Sequence, residues 1–337
     1  MKANRPKKKY RLREIAFGPI QLLIFDRKGI PYQILRIERE KTEVVIGINE
    51  EIDRELVAIR PDEVASFIMS LGVFRTLLDT QEILYYRTGL FVQYGEQLIK
   101  SITEHVMRGK CTTDFRNEVS NHIRTRTYTA REAFDKNAEI VNCANGLIDV
   151  QSRVIVPHRM LARFNLYYLS RVQLPRIYNP GLRPKAILNF LKQVQPDPDC
   201  RRFVLEDAAS CLDKKPRRRR ASFYVGTLNG KNGKTTWSNV LTQCLGERNV
   251  SNLPLKSLSG EDRFITAELE GKLLNVYGEI RTEEIDEVGN YRVLTGADRL
   301  KGERKYKDPF YFMPFAKYIF MANELPVLKD DLLATYD

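Results

Sequence analysis

Between Ala221 and Thr236 a short apolar run, Phe223-Tyr224-Val225, leads into Gly226-Thr227-Leu228-Asn229-Gly230-Lys231-Asn232-Gly233-Lys234-Thr235-Thr236. These residue types in this order suit a nucleoside triphosphate. Glycines let backbone N–H groups curl around phosphate oxygens, a lysine ammonium reaches the outer phosphates, and a threonine hydroxyl completes the shell of a magnesium ion. The positive end of the helix that follows adds to the same field. The strict spacing of such a loop has a glycine where Leu228 stands. Either two residues are inserted, or Gly230 does the close-approach work. The residues expected to hold ATP or another NTP are Gly226, Gly230, Asn232, Gly233, Lys234, Thr235 and Thr236, with Thr235 on Mg2+.

A phosphate loop needs a further carboxylate to hold magnesium or to polarise water, placed at the end of a neighbouring buried strand. The run Leu273 to Glu279 fits, with Glu279 at its C-terminal end and Gly278 where an aspartate is usual. A third apolar run, Lys317 to Ala322, ends in Asn323, a neutral group able to orient the attacking water or touch the terminal phosphate; Asn at a strand end is also a common turn residue. Between these runs Arg304-Lys305-Tyr306-Lys307 forms a basic tip with one aromatic ring. Cations for phosphates and a ring for a base or sugar are what a hairpin gripping a single strand requires. A solvated charged hairpin would carry the same residues.

Three strands and one helix must position these groups. After the loop, Trp237, Val240, Leu241, Cys244 and Leu245 recur at helical spacing up to Gly246, a C-cap residue. Upstream, Pro61-Asp62-Glu63 opens a helix carrying Val64, Phe67, Ile68 and Leu71 on one face. Ile83 to Tyr86 and Leu90 to Tyr94 read as a hairpin, and residues 97–107 and 113–123 as helices. Asn145-Gly146 and Val154 to His158 read as a further hairpin edge. Ile187 to Val194 and Phe203 to Ala209 read as two helices parted by prolines. The runs Ile20 to Phe25, Pro31 to Ile37 and Thr42 to Ile48 suggest a small strand meander behind a basic tail.

Composition sets the class. The chain has 337 residues and a formal charge of +12, with a pI near 9.4. That size holds two or three domains, and the charge with abundant Tyr and Phe points to nucleic acid before membrane. Five scattered cysteines, never paired as Cys-x-x-Cys, read as reduced thiols of a cytoplasmic protein. The apolar runs are too short to span a bilayer, and the basic start lacks the apolar region of a signal peptide.

The ordered set resembles the superfamily 3 helicases of AAA+ type, and more closely the phage/plasmid primase-helicase C-terminal family related to the poxvirus primase-helicase. The residues that carry it are Asn145-Gly146-Leu-Ile-Asp149-Val150 with Pro157-His158, Leu174-Pro175 and Tyr178-Asn-Pro180. They continue through Asn232 to Thr235, Phe264, Ala267 to Lys272, Glu279, Leu294 to Asp298, Phe312-Met-Pro314 and Asn323 to Pro326. The resemblance implies an ATP-dependent motor that assembles as a hexameric ring and unwinds single-stranded and forked DNA during replication of a virus, phage or plasmid. It implies catalytic roles for Lys234, Glu279 and Asn323, magnesium held by Thr235 and Glu279, and a DNA-lining hairpin with Lys305, Tyr306 and Lys307. A separate primase or polymerase partner and a host-cell cytoplasmic location follow from the same likeness.

The expected fold class is α/β, a P-loop AAA+ core of three layers (α/β/α) over residues 221–337. It is preceded by a basic tail and β-rich segment over 1–60, a mixed α/β accessory domain over 61–213 and a basic linker over 214–220. No arginine follows Arg304, so the arginine finger such rings use is expected to lie outside this sequence, and the core is expected to be incomplete at its C-terminal side. The competing reading is a DNA-binding or replication-initiation protein whose nucleotide site regulates binding with little unwinding. A small-molecule kinase fits the loop but not the basic hairpin.

Overall fold

The computed structural model describes residues 11–14, 22–25, 31–34, 60–163, 167–215, 220–226, 232–259, 263–280 and 298–325. It divides into two compact units, Met1–Arg87 with Phe91–Ala130 and Thr88–Leu90 with Arg131–Asp337.

In the first unit, β1 (Arg11–Glu14), β2 (Leu22–Phe25) and β3 (Pro31–Ile34) pair antiparallel in sequence order. The expected strand over residues 42–48 lies outside the described residues. Helix α1 (Pro61–Leu71) starts with proline in its first turn, where no intrahelical donor is lost, and Glu63 accepts from the Arg60 backbone N–H at 3.1 Å. Strands β4 (Phe74–Leu77), β5 (Ile83–Arg87) and β6 (Leu90–Val92) precede helices α2 (Gly95–Val106) and α3 (Thr113–Arg126) and strand β7 (Tyr128–Thr129). The four strands form one sheet in the order β6-β5-β4-β7. Val64 and Ile68 from α1, Ile99 and Ile102 from α2, and Val119 and Ile123 from α3 bury one apolar stripe each, together with Phe74 and Ile83.

The second unit opens with a three-stranded meander of β8 (Ile140–Cys143), β9 (Gly146–Asp149) and β10 (Ile155–Val156). Asn145 sits in the first turn. Its side chain donates to Tyr178 O and accepts from Tyr178 N, both at 3.0 Å. Two motifs distant in sequence are therefore one structural bracket. Helices α4 (Lys185–Val194) and α5 (Pro198–Ser210) follow. The proline break between them is an N-cap: Asp197 accepts from Cys200 N at 2.7 Å ahead of Pro198.

The centre of this unit is a parallel sheet built from β11 (Ala221–Val225), β12 (Val250–Ser251), β13 (Leu274–Ile280) and β16 (Lys317–Ala322). Its order is β11-β16-β13-β12, and all three pairings are parallel. Parallel strands are stable when both faces are covered, so their sequences are apolar at successive positions. In β16, Tyr318 and Phe320 face one cluster with Phe310 and Phe312, while Ile319 and Met321 face the other with Trp237, Leu241 and Leu245. The second face is covered by α6 (Lys234–Leu245), α4 and α5. The first is covered by the short helices α7 (Leu255–Ser259) and α8 (Arg263–Ala267), with the hairpin of β14 (Leu300–Gly302) and β15 (Phe310–Phe312). Helix α6 stops at Gly246, whose φ of +89° and close approach to Pro175 leave no room for a side chain.

Lys214, first residue of the expected basic linker, is buried. Its ammonium lies 3.6 Å from the Asp135 carboxylate and 3.4 Å from the Tyr168 hydroxyl. Burial pulls its pKa below the ordinary lysine value, against the opposing pull of Asp135. Residues 216–219 of that run lie outside the described residues.

Candidate nucleotide-binding site

Strand β11 pairs with β16 from Ala221 opposite Tyr318 to Val225 opposite Ala322, and Gly226 N extends the ladder by donating to Ala322 O at 3.1 Å. The chain leaves the sheet at Gly226. It returns at Asn232 and Gly233, and α6 begins at Lys234 with Gly233 as N-cap in the left-handed conformation, φ +78°. An L side chain there would cost about 1–2 kcal/mol in backbone strain. A Cβ at Gly233 would also approach Val194 Cγ1 to 2.7 Å and Phe190 Cζ to 3.0 Å. The apolar face of α4 thus fixes the entry to α6, a contact that the helical spacing of Phe190 and Val194 did not reveal.

The Lys234 ammonium turns back over the ends of the strands. It donates to Ala322 O at 2.8 Å and to Asn323 Oδ1 at 2.9 Å. Among the described residues it pairs with no carboxylate, so neutral oxygens hold it and its charge is left for an anion. A Cβ at Gly226 would collide with the Asn232 amide nitrogen and the Lys234 ammonium, so glycine lets both side chains take these positions. Asn232 Nδ2 is buried and has no hydrogen-bond partner among the described residues. Thr235 and Thr236 occupy the exposed first turn of α6, which holds no acidic residue to cancel its dipole. A buried amide donor, an ammonium and a helix N-terminus therefore converge at one end of the sheet. That donor set suits a polyanion.

Strand β13 reaches the same end. Ile280 pairs opposite Ala322, and the register shifts between Tyr277 and Ile280, which places an irregularity at Gly278 and Glu279. Such bulges re-aim side chains beside functional sites. The backbone of Glu279 therefore lies on the strand next to the one carrying Asn323; its side chain lies outside the described residues, as does Gly230. Lys234 and Asn323 are in direct contact.

Lys305, Tyr306 and Lys307 lie elsewhere in the unit, in the turn between β14 and β15. All three are exposed; Tyr306 is 104% exposed with φ +62°. Their hairpin is fastened at its base. Thr266 Oγ1 donates to Lys301 O at 2.9 Å, and Gly302 packs against Phe310 Cζ and Ala267. Arg304 joins Glu270, which also receives Arg131 and Arg171. Glu270 lies within the stretch Ala267 to Lys272 and Arg304 within the basic tip, but nothing in the sequence pointed to their pairing with each other or with Arg131 and Arg171.

Among the described residues no helix is long and apolar enough to cross a membrane. A family model described as a family of unknown function, DUF5906, matches residues 227–332. The chain is 32% identical over 155 residues to "Putative helicase L207/L206" of Acanthamoeba polyphaga mimivirus, covering 44% of this chain and 16% of that protein. It is 29% identical over 162 residues to "Putative helicase 121R" of Invertebrate iridescent virus 3, covering 45% of this chain and 17% of that protein. The chain thus matches less than a fifth of the length of either relative. Its fold is similar to the apo structure of the NrS-1 C-terminal region, with a TM-score of 0.52 and 14% identity over 80% of this chain and 58% of that one. A second structure of that region, residues 305–718, gives a TM-score of 0.51 with 14% identity over 78% and 57% of the two chains.

Proposed function

We propose that the chain is the nucleotide-binding part of an ATP-dependent DNA helicase of superfamily 3 type, with residues 221–337 as its AAA+ P-loop core. The observation that carries this reading is the convergence of Lys234, Asn323 and Gly226 at the ends of adjacent parallel strands, 2.9 Å separating the first two side chains. The likeness to two viral proteins named as helicases supports DNA as the partner.

In this reading Lys234 binds the outer phosphates, exchanging the Ala322 and Asn323 oxygens for phosphate oxygens. The Asn232 amide and the N–H groups at the start of α6 complete the cradle. Thr235 and Glu279 would hold Mg2+, which neutralises charge on the phosphates when bound. Asn323, released from Lys234, is placed to orient water or contact the terminal phosphate. Strand β16 separates β11 from β13, so Asn323 stands between the phosphate loop and the strand bearing Glu279. In this reading Asn323 is the neutral polar group where charge develops, and Glu279 is supplied by the neighbouring strand. The hairpin with Lys305, Tyr306 and Lys307 would grip single-stranded DNA, and hexameric ring assembly would bring those hairpins around one strand.

Hydrolysis of ATP with and without single-stranded DNA tests the proposal. Stimulation by DNA that Lys234→Ala abolishes supports the motor. Salt-sensitive DNA binding with no turnover in either protein would reject it in favour of a nucleotide-regulated DNA-binding protein.

A further inference from the structure

Glu270 lies in the turn between α8 and β13 with 4% of its side chain exposed. Three arginines meet it from three distant segments. Oε1 accepts from Arg131 and, at 2.5 Å, from Arg171, and Oε2 accepts from Arg304 at 2.7 Å. Burial alone would push this carboxyl up, but Arg171, Arg131 and Arg304 more than offset it and leave the group below the ordinary carboxylate value. Two of the guanidiniums also lie against one ring: Arg131 is 4.3 Å and Arg304 5.0 Å from the centroid of Phe310.

The three arginines differ in what they connect. Arg131 and Arg171 are held in the body of the unit, with 6% and 15% of their side chains exposed. Arg304 is 30% exposed and belongs to the hairpin, one residue before Lys305. Tyr306, two residues on, carries a positive φ and has its whole ring in solvent. A short turn with strained backbone and exposed side chains keeps one shape only if its ends are fixed. The β14–β15 pairing and Gly302 fix one end; the Arg304 contact with Glu270 and Phe310 fixes the turn itself.

We infer that Glu270 is a positioning residue for the β14–β15 hairpin: through Arg304 it sets the pose in which Lys305, Tyr306 and Lys307 meet a nucleic-acid strand. The same carboxylate stands four residues before β13, so the hairpin tip and the strand bearing Glu279 share one anchor. This inference rests on the proposed grip of DNA by the hairpin, and its test separates the two.

Removing Glu270 would leave three cations facing one another, so Glu270→Gln alone could fail by unfolding. Arg304→Met and Arg304→Lys keep the Glu270–Arg131–Arg171 core intact. Amide hydrogen exchange of residues 303–308, measured without DNA, reads the tether directly. Binding of a fluorescein-labelled oligothymidylate at several salt concentrations reads the consequence. Faster exchange at the tip in Arg304→Met, affinity lowered about tenfold as one base stack is lost, an unchanged salt slope and partial recovery in Arg304→Lys support the inference. Unchanged exchange in Arg304→Met overturns it. A salt slope lower by about 0.7, the signature of one lost phosphate contact on a single strand, with unchanged exchange also overturns it, because Arg304 would then touch DNA itself. If the unsubstituted chain binds no oligonucleotide, the proposed function fails, while the exchange result still judges the tether.

Discussion

The Lys234 ammonium lies 2.9 Å from the side-chain oxygen of Asn323, a residue 89 positions later in the chain. The pairing of β11 with β16 and the start of α6 at Gly233 bring them together. Neither side chain is otherwise committed to a charge among the described residues, so this contact is one that a phosphate can replace.

Asn323→Ala removes a polar group that the proposed site uses where charge develops. Turnover is expected to fall on the order of 10²-fold, with nucleotide affinity changed far less because Lys234 and the start of α6 remain. Steady-state hydrolysis alongside equilibrium nucleotide binding checks the split. An equal loss in both would make Asn323 a ground-state ligand only.

Gly226→Ala places a methyl group where the Asn232 amide and the Lys234 ammonium now sit. Nucleotide binding is expected to weaken, as both side chains are displaced from the site, while the sheet persists, since the backbone bond from Gly226 N to Ala322 O needs no change. Titration with a fluorescent nucleotide, paired with a thermal melt, measures both. Gly233→Ala should lower stability by about 1–2 kcal/mol through backbone strain, with an added cost from contact with Val194.

The hairpin substitutions separate charge from stacking. Lys305→Ala with Lys307→Ala should lower the salt slope of single-strand binding by about 1.4, twice the increment for one phosphate. Tyr306→Ala should weaken binding by roughly 1–3 kcal/mol without changing that slope. Fluorescence anisotropy across a salt series distinguishes them, and a double lysine variant with the parental slope would remove the hairpin from the DNA path.

Glu270 makes a pH prediction. Its folded-state pKa is depressed, so the stability it contributes is present above the unfolded value of about 4.5 and is lost as pH falls through the lower folded value. Comparing melts of the parent and Glu270→Gln across this range isolates it. The gap between them should be widest near neutrality and should narrow in acid as Arg131, Arg171 and Arg304 lose their common counter-charge. A gap independent of pH would mean that folding leaves the Glu270 pKa at its unfolded value.

Much of the candidate site was legible because its parts are local. Strand β11, the glycines, Lys234 and the stripe of Trp237, Leu241 and Leu245 lie within one continuous stretch, and the apolar runs of β13 and β16 announce buried strands. The hairpin was legible as a basic turn, although its paired strands are only three residues each. Strand β12 has two residues, too short for any periodic signal. The Glu270 cluster was illegible for another reason: its partners are 139, 99 and 34 positions away, and ion pairs between distant segments leave no spacing to read. Lys214 was hidden by its neighbours, since a run of cations reads as solvated until one of them is found beside Asp135. Asn145 and Tyr178 were separately visible, but their mutual bonding required the fold.

Magnesium-dependent ATP binding by the chain and by Lys234→Ala, with circular dichroism confirming that both are folded, tests the central claim most directly. The account predicts saturable binding by the parent and a loss of about 2–3 kcal/mol or more in the variant, the scale of a charge-assisted contact removed. Equal affinity in the two proteins would contradict it.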